Sequence, residues 1–498
     1  MPARIAEALL AIREAFGLAE DELARRGTQF SGGDRPGIAD IVFAALAAPV
    51  VLPPRYGGKL PSLAQLPPEL RAFVDELRGR RGGHLVLDTY EAARPEPQSP
   101  LSGRRPSGVL SALVLGPTLQ RWAAKLAARF GRLIRLRNLV VVSRWRDVEE
   151  VLRRDLDFRI APVNGPRIDE VNGPFILGID RGERMAAERP QLYAAVSPID
   201  LDAVRVLVAT EAERLLDGAV ASGGRLDVVN GYARLVAART ARLLFGVAGP
   251  TEAELLRVTR AVFQHTFLNV GGERPVAERA LAASEELRRW LADEIARRQA
   301  KAVLIDDVPG RLLARRATDP GALDDDGVRR NVAGLLVGAI DTTATAVGKV
   351  VAVAAADRAL LRRIERDVDD RERMLGWCRE ALRQWAHNPI LLRRAAVATT
   401  LDDRAVPAGA TVVAYIQAAM FDAGRFPAPG QLDPSRPAEL YRHFGGGLHP
   451  CAGRAVNDVQ VPELVRRVVR RGITAVGRPD YEGPFLDALV VKLRGSTA

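Results

Sequence analysis

The segment His443-Phe444-Gly445-Gly446-Gly447-Leu448-His449-Pro450-Cys451-Ala452-Gly453-Arg454 concentrates the residues with most chemistry to offer, and a helix-forming run follows it to Arg471. Three adjacent glycines and Gly453 admit backbone conformations and close approaches that a Cβ forbids. Cys451 therefore belongs in a tight loop at a helix N-terminus, where the dipole and free N–H groups favour the thiolate. A thiolate ligates a metal or attacks an electrophile, and for the second task His449 is at hand as a base. Zinc is a poor fit, because the chain has two cysteines, five histidines and no paired CxxC spacing. An ordinary buried cysteine beside a glycine turn has the same local sequence.

Two further constellations bear charge where an apolar pattern predominates. Asp341, Thr342 and Thr343 follow the run Val332 to Ile340, in a helix expected from Asp326, its cap, to Arg358. A carboxylate and two hydroxyls there are costly unless paired or used. Proton relay is one use; the alternative is that the threonines bond back one turn and Asp341 pairs with a distant arginine. Glu380 and Arg383 stand at i and i+3, a spacing that on a solvated face contributes only a few tenths of a kcal/mol.

Together these stretches resemble the cytochrome P450 superfamily, bacterial type. Phe444, Gly447, His449, Cys451 and Gly453 fill the positions of its haem-binding signature, F-x-x-G-x-H-x-C-x-G. The resemblance implies haem b, iron protoporphyrin IX, with Cys451 as the iron's thiolate ligand and His449 on a propionate. An axial thiolate pushes electron density toward the iron and favours O–O cleavage. Gly338, Asp341, Thr342 and Thr343 match the family's oxygen-side segment, implying proton delivery by Asp341 and Thr342; Ala339, at the haem face, replaces the usual Gly. Glu380 and Arg383 match its E-x-x-R, with Arg436 as third member of a buried triad and Leu432 in place of the usual Phe. Arg393 matches a propionate-binding arginine. Arg184 occupies the position of a propionate-binding histidine and Glu188 that of its companion arginine, so Arg184 or the adjacent Arg189 is expected to take that role.

The elements that must position these groups are mainly α-helical with small β-sheets, an α+β architecture around a long central helix. Helices are expected at Leu201–Ala221, Gly231–Phe245, Glu252–Phe267, Val276–Arg298 and Arg371–Trp385, and strands at Leu139–Val142, Arg394–Thr400 and Val412–Ile416. Pro462 should kink the helix after Cys451. Matches to the family run from about Gly116 to the C-terminus. Residues 1–115 are expected to be a mostly helical N-terminal extension with a Pro- and Gly-rich linker near 93–107, a partner-binding segment, an extra cap or a decayed domain.

Composition narrows the partners. The 498 residues are 47% hydrophobic and 27% charged, a soluble globular balance with net charge +11, and all but five of the 72 basic residues are arginines. Basic residues alternate with acids along helices and aromatics are only 5%, too few for base stacking, so no nucleic acid is expected. Two cysteines build no disulfide framework, Glu7 and Glu14 interrupt the apolar N-terminal pattern, and no apolar run appears long enough to span a membrane, so a cytoplasmic protein is expected. No flavin or ferredoxin module is visible. The expected activity is therefore monooxygenation of a small organic substrate with O2 and electrons from an external ferredoxin or flavodoxin. A hydroperoxide-using isomerase or peroxygenase, and a non-catalytic haem sensor, are the alternatives.

Overall fold

The computed structural model describes residues 2–26, 30, 36–53, 63, 66–93, 117–131, 133–269, 271–301 and 305–494. The expected linker near 93–107 lies almost entirely outside these residues. The chain divides into two compact units, Met1–Gly116 with Asn269–Arg274, and Pro117–Leu268 with Pro275–Ala498.

In the first unit, helices Pro2–Arg26, Ile38–Val51, Pro68–Gly79 and Arg81–Ala93 enclose Phe16, Ala44, Ala48, Val51, Leu77 and Val86. The second helix ends where Leu52 turns left-handed (φ 52°). Arg78 donates to the carbonyls of Val51, at 2.7 Å, and Leu52, so a guanidinium satisfies backbone acceptors that a helix end leaves open.

The second unit is mainly helical with twelve described strands: β1 Ile134–Leu136, β2 Leu139–Val142, β3 Phe158–Arg159, β4 Arg225–Asp227, β5 Leu391–Ala395, β6 Thr399–Leu401, β7 Arg404–Val406, β8 Thr411–Ala414, β9 Ile473–Val476, β10 Asp480–Glu482, β11 Phe485–Ala488 and β12 Val490–Leu493. The largest sheet has the order β1-β2-β8-β5-β3, with β2 and β8 parallel. The expected strand Arg394–Thr400 is two strands, because β5 pairs with β8 whereas β6 turns into a hairpin with β7 through Asp402 and Asp403, both left-handed. Two expected helices are also corrected: Arg234–Phe245 is preceded by a π turn over Val229–Ala233, and Glu252–Phe263 passes into another over Gln264–Leu268.

The central helix, Asp325–Ala356, runs through the main core. Its cap is Asp324, which accepts from the Gly327 N–H at 2.7 Å, and not Asp326, which is engaged by Arg329 and Arg330. This is the one described helix long and apolar enough to cross a membrane, and it is largely buried inside the unit. Helix Arg371–Gln384 and the cysteine helix, Arg454–Arg470, pack against it. Pro462 lies inside the last of these without ending it.

Lys349 of the central helix is 1% exposed and donates to the Ala386 carbonyl at 3.0 Å. Burial pulls its ammonium down from 10.5 to about 7. Between pH 7 and 10.5 the folded chain therefore binds fewer protons than the unfolded chain, and stability rises with pH through that window. Lys349→Met should stabilise the protein by about 3 kcal/mol at neutral pH, a gain that fades toward pH 10; urea unfolding of both proteins across this range measures it.

Candidate functional site

The cysteine turn is built by backbone geometry. Gly445 and Gly447 have φ of 71° and 65°. A Cβ on Gly447 would lie 1.7 Å from the Leu152 carbonyl oxygen, so only glycine lets the loop pass the helix Trp145–Arg153. The Cys451 N–H donates to the Phe444 carbonyl at 2.9 Å, closing the turn, and Gly453 leads into the cysteine helix. Burial pushes the Cys451 thiol up, while the Gly453 N–H bonded to the sulfur opposes it.

Around the turn, Tyr193 donates to the Pro450 carbonyl at 2.7 Å, and Arg189 donates to the Leu448 carbonyl at 3.0 Å from above the Tyr193 ring. Arg184, on the same helix Glu183–Ala194, is instead half exposed, with Glu188 its nearest carboxylate at 3.9 Å. Of the two arginines expected to share a role, it is Arg189 that reaches the turn. Glu188 is buried and holds Arg330 and Asn331 of the central helix. His449 has its Nε2 on the Ile179 carbonyl at 2.9 Å, and burial pushes its ring below the usual imidazole range, with the Ile179 contact opposing. A nucleophile and base pair with Cys451 thus lacks its hydrogen bond.

Arg393, on β5, is 3% exposed, yet its one hydrogen bond among the described residues is to the adjacent Leu392 carbonyl, 2.8 Å away. Burial pulls its guanidinium down to about 10. Asp180 opposes that shift through its charge without forming an ion pair, and a buried cation left so has room for an anion.

On the central helix, Leu335, Gly338, Ala339 and Thr342 stay half exposed although the neighbouring faces are buried. A Cβ on Gly338 would meet nothing within 4 Å, so this stripe borders open space. Thr342 donates to the Gly338 carbonyl at 2.5 Å and Thr343 to that of Ala339 at 2.7 Å. Asp341 points elsewhere. It is 1% exposed and clamped by Arg260 at 2.8 Å and Arg234 at 2.9 Å. Arg260 also holds Glu482 and Asp487, at 2.5 and 2.8 Å, and Gln264 holds Glu482. Nothing local in the sequence ties Arg234 or Arg260 to Asp341, because the partners are 107 and 81 residues away and meet only in the fold.

Behind the turn, Arg383 grips Glu380 with two nitrogens at 2.9 and 2.7 Å, both side chains at 0% exposure. Arg436 approaches the same carboxylate at 3.4 Å, and Tyr441 and the Asp433 N–H donate to it at 2.8 and 3.1 Å.

A flat dianionic group with a metal at its centre fits these residues: a sulfur in a glycine turn, a buried guanidinium without an ion-pair partner among the described residues, and a helix stripe bordering unfilled space. The cytochrome P450 family profile matches residues 282–471. Cytochrome P450-SU2 of Streptomyces griseolus is 29% identical over 343 residues, 66% of this chain and 79% of that protein. The crystal structure of CalO2 shares the fold, with a TM-score of 0.67 and 22% identity over 76% of this chain and 98% of that one. By this profile over residues 282–471 and by this fold, the chain carries a cytochrome P450 domain. It is an oxidoreductase of the P450 monooxygenase type, and its cofactor is protoporphyrin IX haem. A shorter stretch of 104 residues is 38% identical to the bifunctional dioxygenase (DOX)-epoxy alcohol synthase (EAS) of Fusarium oxysporum, covering 20% of this P450 but only 8% of that protein. Residues 2–76 match a different family, the glutathione S-transferase C-terminal domain.

Replacing Arg393 by Met should leave the haem-free chain as stable as before or more so, since a buried unpaired charge is removed. Haem affinity should fall by about 10- to 100-fold, the value of a hydrogen bond to a charged group. Urea unfolding of the haem-free protein and haem titration measure the two effects separately.

Proposed function

We propose that this P450 inserts one oxygen atom of O2 into a small organic substrate, with Cys451 as the thiolate ligand of the haem and electrons from a separate ferredoxin or flavodoxin. The observation that carries the reading is that a sulfur held by the Gly453 N–H occurs together with a buried arginine, Arg393, that forms no ion pair among the described residues. Haem supplies the oxygen-activating chemistry; the chain supplies the thiolate, the orientation and the protons. Arg393 and His449 hold propionates, with Arg189 rather than Arg184 as the third donor. Phe444, Gly447 and Gly453 would shape the turn that carries the sulfur, and Ala339, on the open stripe of the central helix, would border the haem. Glu380, Arg383 and Arg436 hold the segment leading into the turn.

Protons come through the side chains around Asp341. Glu482 and Asp487 are 34% and 40% exposed and share Arg260 with the buried Asp341, so proton exchange with solvent reaches Asp341 as these carboxylates trade their hold on the guanidinium. Delivery to the Thr342 hydroxyl, which stands at the open stripe, requires the Asp341 side chain to swing from Arg260 and Arg234, because at rest it points away from that stripe. An arginine-rich chain attracts an acidic electron donor. Free Cys378 and Cys451 accord with a reducing cytoplasm. Residues 116–498 constitute the haem domain, and residues 1–115 an added helical module.

The hydroperoxide-using alternative draws on the stretch shared with the epoxy alcohol synthase. Replacement of Thr342 by Ala separates the two. In a monooxygenase the fraction of consumed O2 that appears in product should fall by about 100-fold, the low end of what a positioned proton donor contributes, whereas turnover of a supplied hydroperoxide should persist. The haem assignment has its own check: the reduced, carbon monoxide-bound protein should show the red-shifted Soret band of thiolate ligation, and Cys451→Ser should lose it.

A further inference from the structure

The cysteine helix and the central helix are joined by a buried polar contact that the proton path does not use. The Thr343 hydroxyl is wholly buried and has one proton but two acceptors, the Ala339 carbonyl at 2.7 Å and the Asn457 Oδ1 at 2.8 Å. Gln460 Nε2 donates to the Thr343 oxygen at 3.0 Å and to Asn457 Oδ1 at 2.9 Å. Gln460 Oε1 is buried without a partner, so the group is held on one side only. The other end of the Asn457 amide faces the cysteine turn. Its Nδ2 lies 3.7 Å from where a Cβ on Gly453 would stand, and the Cys451 sulfur lies 3.8 Å from the same point. The Asn457 N–H donates to the Gly453 carbonyl at 2.9 Å.

A threonine hydroxyl bonded to the carbonyl one turn back competes with the helix's own N–H for that oxygen and bends the helix. A side chain that draws the proton away limits the bend. We propose that Asn457 is a positioning residue for the monooxygenase reaction: by sharing the Thr343 proton it sets how far the central helix opens beside Thr342, and by presenting its amide to the Gly453 turn it tunes the thiolate at Cys451. One side chain thereby sets the oxygen side and the sulfur side together. The inference rests on the haem-thiolate reading above. Groups around a metal's ligand that orient it and donate toward it alter the metal's potential.

The test uses the full-length haem protein with Asn457→Ala, Asn457→Gln and Thr343→Val. Loss of the amide should return the Thr343 proton to Ala339, so hydrogen exchange at the Thr343 amide should rise at least threefold in Asn457→Ala. It should fall in Thr343→Val, which has no hydroxyl to compete. Loss of the amide dipole at the Gly453 turn should also shift the ferric–ferrous equilibrium at least threefold toward ferric in Asn457→Ala and not in Thr343→Val. Asn457→Gln should recover part of both effects. If either quantity in Asn457→Ala stays within threefold of the parent, while the carbon monoxide spectrum still shows thiolate ligation, the inference is overturned and Asn457 is a packing residue. If the parent protein itself lacks that spectrum, it is the haem-thiolate reading that has failed.

Discussion

The Cys451 sulfur stands between two opposing influences, burial and a backbone N–H, and the second depends on the shape of the turn. The Cys451 thiol is pushed up by burial and pulled back by the Gly453 N–H, a contact available only while the turn keeps its shape. That shape requires left-handed residues at 445 and 447 and no side chain at 447. The surrounding packing can be understood as bracing for this turn: Tyr193 and Arg189 fasten its carbonyls on one side. On the other, Glu380 and Arg383 fix the segment 429–433 through backbone contacts to Pro429, Gln431 and Asp433. Each brace is a charge or a hydroxyl that could not be left buried alone.

What could be read from the sequence was whatever depends on neighbours along the chain. The glycine and cysteine spacing, the apolar central helix and the i, i+3 pair all have local causes, and the β-branched run Leu139–Val142 is the strand β2 it looked like. Contacts between distant segments were not legible. Asp341 has its two arginines in other helices, and the central helix is capped one turn's edge earlier than its most obvious acid, because Asp324, Asp325 and Asp326 are interchangeable by composition and only the backbone decides among them. The π turns before Arg234 and after Phe263 insert a residue without any change of residue type, so periodicity passes over them. The C-terminal strands escaped notice for a related reason: each is three or four residues long and gains its pairing from β4, β9 or its own hairpin partner.

Arg184 and Arg189 illustrate a third limit. Both stand where a motif would tolerate a cation, and five residues of helix separate a side chain facing solvent from one facing the turn. The intervening Glu188 is buried against Arg330, which reverses the charge that the resemblance leads one to expect there. Compensation comes from the central helix, so the two helices are tied by an ion pair and not merely by packing.

The near-exclusive use of arginine has a consequence for regulation. A guanidinium keeps its charge across every physiological condition, whereas ammonium groups can be titrated when buried or silenced by acetylation. Of the five lysines, Lys349 is sealed in the core. The net positive charge this protein carries is therefore a permanent one, adjustable by ionic strength and scarcely at all by acidity or by enzymes that modify amines.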